Sequence, residues 1–319
     1  MNKKLNHQKV VVIGDIIVDK FHLGNVSRIA PEAPVPILNV EKTLFSIGGA
    51  YNLVSQLRSM NVQTYFISSS GPELKLELNH FKQKMNKDDY IISSKKRTSI
   101  KNRFISNNKS TYLLRVDYED SSDITDNENN KIIKILDKIL SDNTFIILMD
   151  YNKGVINSKL LKVFYEKIKQ YKNIKIFIDT KKSDLSIFEK SYLLKPNNYE
   201  FEKITLKNFG EYLPPEKSIS QISKKFKIEH LLITKGDKGA LMYSSNSNKI
   251  IKSSGFKVRS GEVSGAGDTF LSVVVASVYY KKNIISAVKA ANFFAAEFIR
   301  LGISYRISKQ KLISYLKHL

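Results

Sequence analysis

Short runs of apolar, β-branched residues recur along the chain, separated by longer segments whose apolar positions fall three and four apart. Runs of strand length stand at 9–14, 62–68, 90–93, 144–150, 174–179 and 230–234. Between them, Ala50, Leu53, Val54, Leu57 and Met60 share one helical face, and Ile132, Ile133, Ile135, Leu136, Ile139 and Leu140 approximate another. The strand runs are apolar on both faces and alternate with helices. That pattern predicts an α/β fold with a central, mostly parallel sheet and helices on each side. In such folds ligands bind beyond the carboxyl ends of the strands.

Two segments break the rhythm. The stretch 21–44 is proline-rich ("SRIAPEAPVPIL") and resists helix, and 98–117 reads as two strands around the polar turn "SNNKS". Together they predict a small β structure, over about 17–45 and 98–117, projecting from a single domain that takes in residues 1–319. From Ala266 onward the chain reads as helical almost to its end. No internal repeat or low-complexity linker interrupts it.

Composition removes some alternatives. The absence of cysteine excludes disulfides and thiolate metal sites and suits a reducing compartment. Basic residues precede an apolar run at the N-terminus, as in a signal peptide. Asp15 and Asp19 break that run, so a buried first strand is the better reading, and a cytoplasmic location is expected, with no membrane partner. The net charge of +22 raises a nucleic-acid partner. The lysines are spread along the whole chain without a basic block interleaved with aromatics, so no nucleic acid is expected. The diffuse positive field would draw in small anions.

Candidate chemistry concentrates in "EVSGAGDTF". Ser264, Gly265, Ala266 and Gly267 let backbone N–H groups approach a ligand where an apolar helix begins, which makes an anion hole for a phosphate. Asp268 then has two readings: a helix cap, or a general base taking a proton from an attacking hydroxyl. No G-x-x-x-x-G-K-[ST] occurs, so any nucleotide is not held by a Walker loop, and no G-x-G-x-x-G follows the first strand. "GDIIVD" places Asp15 and Asp19 just past the first strand, where a carboxylate can accept paired bonds from sugar hydroxyls. "IGGAYN" places Gly48 and Gly49 at a helix entry with Asn52 one turn in.

With "MDYNKG", "KPNNYEFE" and "TKGDKG", these pieces occur in one order from end to end. In that order the chain resembles the ribokinase-like (PfkB) carbohydrate kinases, a three-layer α/β fold with a small β lid. Within them it is most similar to the kinases of D-glycero-D-manno-heptose 7-phosphate, through "GNVSRIAPEAPVPIL", "YLLRVDYED" and "DTKKSDLSIFEKSYLLKPNNYEFE". The resemblance implies ATP-dependent phosphorylation of the anomeric hydroxyl to the 1,7-bisphosphate, for a bacterial surface-saccharide precursor. Other PfkB-type sugar kinases, a nucleic-acid binder and a non-catalytic sugar sensor are the competing readings.

Residue by residue, the resemblance makes Asp268 the base and Gly265, Ala266 and Gly267 the anion hole. Asn197 and Glu200 fall where Mg²⁺ is supported through water, and Lys235, Gly236, Gly239 and Asn292 where the nucleotide lies. Asp15, Gly48, Gly49 and Asn52 match the sugar-binding set, with Asp150 and Lys153 near the same cleft. Arg28, Lys101 and Arg103, and less directly Arg115, are the cations expected to hold the substrate's phosphate. K⁺ is a further expected cofactor and a homodimer through the lid an expected assembly. Departures from the family pattern are Glu262 near the monovalent-cation region, Ser264, Tyr51 (expected to narrow the pocket), and the missing glycine in "DTKK". No H-x-G-H motif is present, so a separate enzyme is expected for nucleotidyl transfer.

Overall fold

A computed structural model describes residues 8–81, 85–107, 111–188, 190–258 and 264–319. Its largest feature is a nine-stranded sheet in the order β13-β12-β11-β10-β9-β8-β1-β4-β5. The strands are β1 (Val10–Gly14), β4 (Thr64–Ser70), β5 (Asp89–Ser93), β8 (Phe145–Asp150), β9 (Lys175–Thr180), β10 (Ser191–Leu194), β11 (Ile228–Thr234), β12 (Ala240–Ser244) and β13 (Lys249–Ser253). From β5 across to β11 every pairing is parallel; only the β11–β12 and β12–β13 pairings, at one edge, are antiparallel.

Alternation along β1 shows how the layers form. Val10 and Val12 enter one core, while Val11 and Ile13 enter the other. The first core is closed by α1 (Ala50–Ser59), α7 (Ala266–Tyr279), α8 (Ile284–Leu301) and α9 (Lys309–Lys317). The second is closed by α3 (Asp126–Ile139), α4 (Ser158–Ile168), α5 (Asn198–Phe209) and α6 (Pro215–Lys225). A short helix, α2 (Pro72–His80), adds Leu74 to the first. The three-layer α/β architecture with a mostly parallel sheet is therefore the one the sequence predicts. Helix α7 is apolar nearly all round and buried from Asp268 to Val278, so its one acidic residue sits in the interior.

The segments that resist helix form a second sheet, ordered β3-β2-β6-β7, from β2 (Ile16–Ile29), β3 (Pro36–Gly49), β6 (Ser99–Ser106) and β7 (Thr111–Tyr118). Pro31 and Pro34 lie in the connection between β2 and β3, and Pro36 opens the edge strand β3, positions where a missing N–H costs no ladder bond. The β2–β3 pairing is regular from Ile16 to Leu23. Its irregularities fall at Leu23/Gly24 and Val26/Arg28, toward the far end. Strands β10, β12 and β13 are absent from the sequence expectation. β10 has four residues, and β13 is mostly exposed, so neither shows an apolar run.

Candidate active site

A cleft of about 380 Å³ opens between the carboxyl ends of the parallel strands and the four-stranded sheet. The N-terminus of α7 forms its floor. Gly265 is the N-cap residue in the left-handed region (φ 85°), a conformation that favours glycine, and Ala266 and Gly267 follow as the first helical residues. Asp268 stands third in the helix, yet makes no side-chain bond to its own helix end. Instead it lines the cleft. Its Oδ1 accepts the Tyr151 phenol O–H, and its Oδ2 accepts Asn52 Nδ2–H at 3.3 Å. Burial pushes its carboxyl above the ordinary range, aided by Asp179, while the Tyr151 and Asn52 bonds and Lys195 pull the other way. Asp268 thus keeps a cap-like position in the first turn, while its side chain bonds Tyr151 and Asn52.

Of the residues named from sequence, Asp19, Gly49, Asn52, Lys101, Arg103, Asn197, Glu200, Gly236 and the 264–268 run line this cleft. Asn197 caps α5 in a reciprocal box: its Oδ1 accepts Glu200 N–H at 2.8 Å, and Glu200 Oε2 accepts Asn197 N–H at 2.8 Å. The other Glu200 oxygen accepts Lys181 Nζ. Arg103 donates to Asp19 Oδ1 at 2.5 Å in a buried pair. Lys101 is half-buried and, among the described residues, has no carboxylate within 4.0 Å. Burial, and then Arg115, lower its pKa.

The remaining named residues stand outside the cleft. Asp15, expected to bind sugar, instead accepts the backbone N–H groups of Tyr151 (2.8 Å), Lys153 (3.1 Å) and Val155 (3.0 Å), holding the loop after β8. Burial and the neighbouring Asp150 push its carboxyl up to about 6. Asp19, inside β2, occupies the cleft instead. A Cβ at Gly48 would lie 2.0 Å from Asp19 Oδ2, so this glycine makes room for that carboxylate. Asp150 bonds Thr180 Oγ1 and Lys182, Lys153 pairs with Glu119, and Lys235 pairs with Glu216. Asn292 donates to Ser253 Oγ, and Gly239 packs against the Ser253 carbonyl. Arg28 is exposed near the outer end of β2, and Arg115 is bound to Asp117. Tyr51 does not narrow the cleft: its hydroxyl donates to Asp89 and its ring meets Phe66 edge-on. Glu262 lies outside the described residues.

The cleft also holds residues that sequence reasoning missed: Tyr151, Asp179, Lys181 and Lys195. Lys195 Nζ lies 2.8 Å from Asp179 Oδ2, whereas Asp179 Oδ1 is buried with no hydrogen-bond partner among the described residues. Burial works against the charged form of Lys181, but Asp179 and Glu200 outweigh it and hold its ammonium above the ordinary range. Each of these residues lies on a loop or strand at the carboxyl side of an apolar run, and that position was the available signal. Among the described residues no group of three or more acidic or histidine side chains forms a ready-made metal site. The orphaned Asp179 oxygen and the Glu200 carboxylate do suit a divalent cation arriving with phosphates. A larger hollow of about 1250 Å³, at the amino ends of β8–β10, contains none of the candidate site residues.

A buried carboxylate beside the amides of a helix N-terminus, at the carboxyl ends of a parallel sheet, is an arrangement suited to phosphoryl transfer to a hydroxyl, the class of the carbohydrate kinases. The chain belongs to the pfkB family of carbohydrate kinases, whose family model matches residues 7–302. It is 31% identical over 309 residues to the bifunctional protein HldE of Campylobacter jejuni subsp. doylei, a match covering 96% of this chain and 64% of that one. It is 32% identical over 308 residues to the HldE of Aliarcobacter butzleri, covering 95% and 62%. The chain thus spans less than two thirds of these relatives. Escherichia coli phosphofructokinase-2 in complex with fructose-6-phosphate superposes with a TM-score of 0.75 at 15% identity, covering 98% of this chain and 99% of that one. Ribokinase from Thermotoga maritima gives 0.69 at 19% identity, covering 97% and 99%. At these identities the structural likeness speaks for the fold. No helix among the described residues is long and apolar enough to cross a membrane.

Proposed function

We propose that this kinase phosphorylates the anomeric hydroxyl of D-glycero-D-manno-heptose 7-phosphate, using ATP, to give the 1,7-bisphosphate of a surface-saccharide precursor. The observation that carries the reading is Lys101: a half-buried cation that, among the described residues, has no carboxylate within 4.0 Å, lining the cleft that contains Asp268. A substrate phosphate is the partner it lacks. The "GNVSRIAPEAPVPIL" segment and the similarity to HldE proteins over nearly the whole chain support a heptose.

In this reading Asp268 accepts the proton of the attacking hydroxyl, and Asn52 orients the carboxylate. The N–H groups at the head of α7 meet the transferring phosphoryl. Asp19, Lys101 and Arg103 bring the β lid to the sugar side, and Thr234, Gly236, Ser264 and Ile299 line the nucleotide side. Asn197, Glu200 and Asp179 would hold Mg²⁺, which when bound neutralises phosphate charge. The reading includes K⁺ as an activating ion, checked by replacing it with Na⁺. It also includes a homodimer through the lid, supported by exposed Ile29, Val40, Leu44, Leu114 and Tyr118 on that sheet.

The test is ATP consumption across a panel of sugars and sugar phosphates. The heptose 7-phosphate should be preferred over the free heptose and over hexose phosphates. Preference for an unphosphorylated hexose or pentose would refute the heptose while leaving the kinase.

A further inference from the structure

Tyr151 follows β8 directly, and its position is set from two sides. Its backbone N–H donates to Asp15 Oδ2 at 2.8 Å, and its phenol O–H donates to Asp268 Oδ1. Asp15 in turn holds two further amides of the same loop, those of Lys153 and Val155. A buried carboxylate at the start of β2 therefore fixes a loop whose first side chain grips the buried carboxylate of α7. We propose that Tyr151 is the positioning residue of the base: its hydroxyl orients the Asp268 carboxylate, and Asp15 acts on that base through the loop. The inference rests on Asp268 being the base, as proposed above.

The chemistry favours a donor role. Burial and the Asp268 charge push the Tyr151 phenol well above its ordinary range, so it stays protonated and can only donate to the carboxylate. Facing Asp268 are Asn52 from α1, Asp179 from β9, and Lys195 after β10. Facing Tyr151 are also Asp19 from β2 and the Lys181 ammonium, 5.6 Å from its ring centre. Asp179 opposes ionisation of the base; Lys195, Asn52 and Tyr151 favour it. Tyr151 is the one of these donors carried by the loop that Asp15 holds. Its bond also leaves each Asp268 oxygen a second lone pair, so a substrate hydroxyl can reach the base without displacing the tyrosine.

The experiment compares wild type with Tyr151→Phe in kcat and KM from about pH 5 to about pH 9. The acidic limb of kcat should move up by about one to two pH units, the weight of one hydrogen bond to a charged group. The neutral-pH loss should recover as pH rises, with KM for the sugar little changed. Asp15→Asn should move the limb in the same direction, and the double variant should move it by less than the two shifts together. A uniform loss at every pH with the limb in place would overturn the proposal and leave Tyr151 as packing. Tyr151→Phe removes only one oxygen, so it decides the question even if Asp15→Asn does not fold. Asp268→Asn serves as the separate control: near-wild-type turnover there would remove the base itself, whatever Tyr151→Phe does.

Discussion

Lys101→Ala tests the substrate's phosphate most directly. Among the described residues four cations line the cleft, and three are already committed: Arg103 to Asp19, Lys181 to Glu200 and Lys195 to Asp179. Of these four only Lys101 has no carboxylate within 4.0 Å, so one charge-assisted bond to the phosphate is expected from this group. One such bond contributes about 1.5–3 kcal/mol, which corresponds to roughly a 10- to 150-fold loss in kcat/KM for the phosphorylated sugar. The free sugar lacks the anion and should lose far less. Arg103→Ala provides the contrast. It strands the buried Asp19 carboxylate, and breaking such a pair costs about 3–5 kcal/mol of stability, felt with either substrate. The assay is initial rate against each substrate for wild type and both variants, with a melting curve for each protein. Equal losses for Lys101→Ala on the two substrates would refute the phosphate contact and make Lys101 a residue of lid stability.

Asp268→Asn should fold and lose about 10²–10⁴-fold in turnover, read by ATP consumption; a variant near the wild-type rate would exclude it as base. Folding raises the Asp15 carboxyl from 3.8 to about 6, so the native state holds a proton that the unfolded chain releases. That contribution is full below the unfolded value and is lost as pH rises through about 6, a change of about 3 kcal/mol. Asp15→Asn cannot titrate, so denaturant unfolding should show it gaining on wild type by that amount from about pH 4 to about pH 7; parallel profiles would refute the shift. The charge of +22 should not act as a nucleic-acid footprint. Retention on duplex or single-stranded DNA at physiological salt, falling steeply with added salt, would show otherwise.

The sequence was most readable where the signal is local. The Val10–Gly14 and Phe145–Asp150 runs are buried on both faces, and such strands announce themselves by composition. The small residues at the head of α7 lie within a few positions of each other, so their spacing exposed them, whereas Asn197 and Glu200 came from the family resemblance and the capping box they form became visible in the fold. Strand β13 was hidden because most of it meets solvent and Lys249 and Lys252 break its apolar run. Asp179, Lys181 and Lys195 were hidden for a different reason. Their pairings with each other and with Glu200 arise only when neighbouring strand ends are set side by side, and no periodicity records that. Asp15 misled because its position after β1 fits a ligand contact as well as the loop anchor it is.

The two irregularities in the β2–β3 pairing lie beyond Leu23, whereas Asp19 lies in the regular part. Side chains alternate faces along a strand, so a slip of one residue near Asp19 would turn its carboxylate away from Arg103 and out of the cleft. At the outer end a bulge absorbs an extra residue without shifting the pairs behind it. The lid is thus divided into a half that must keep count and a half that need not. Insertions around 30–35 should be tolerated, and a single-residue insertion between Ile17 and His22 should abolish activity.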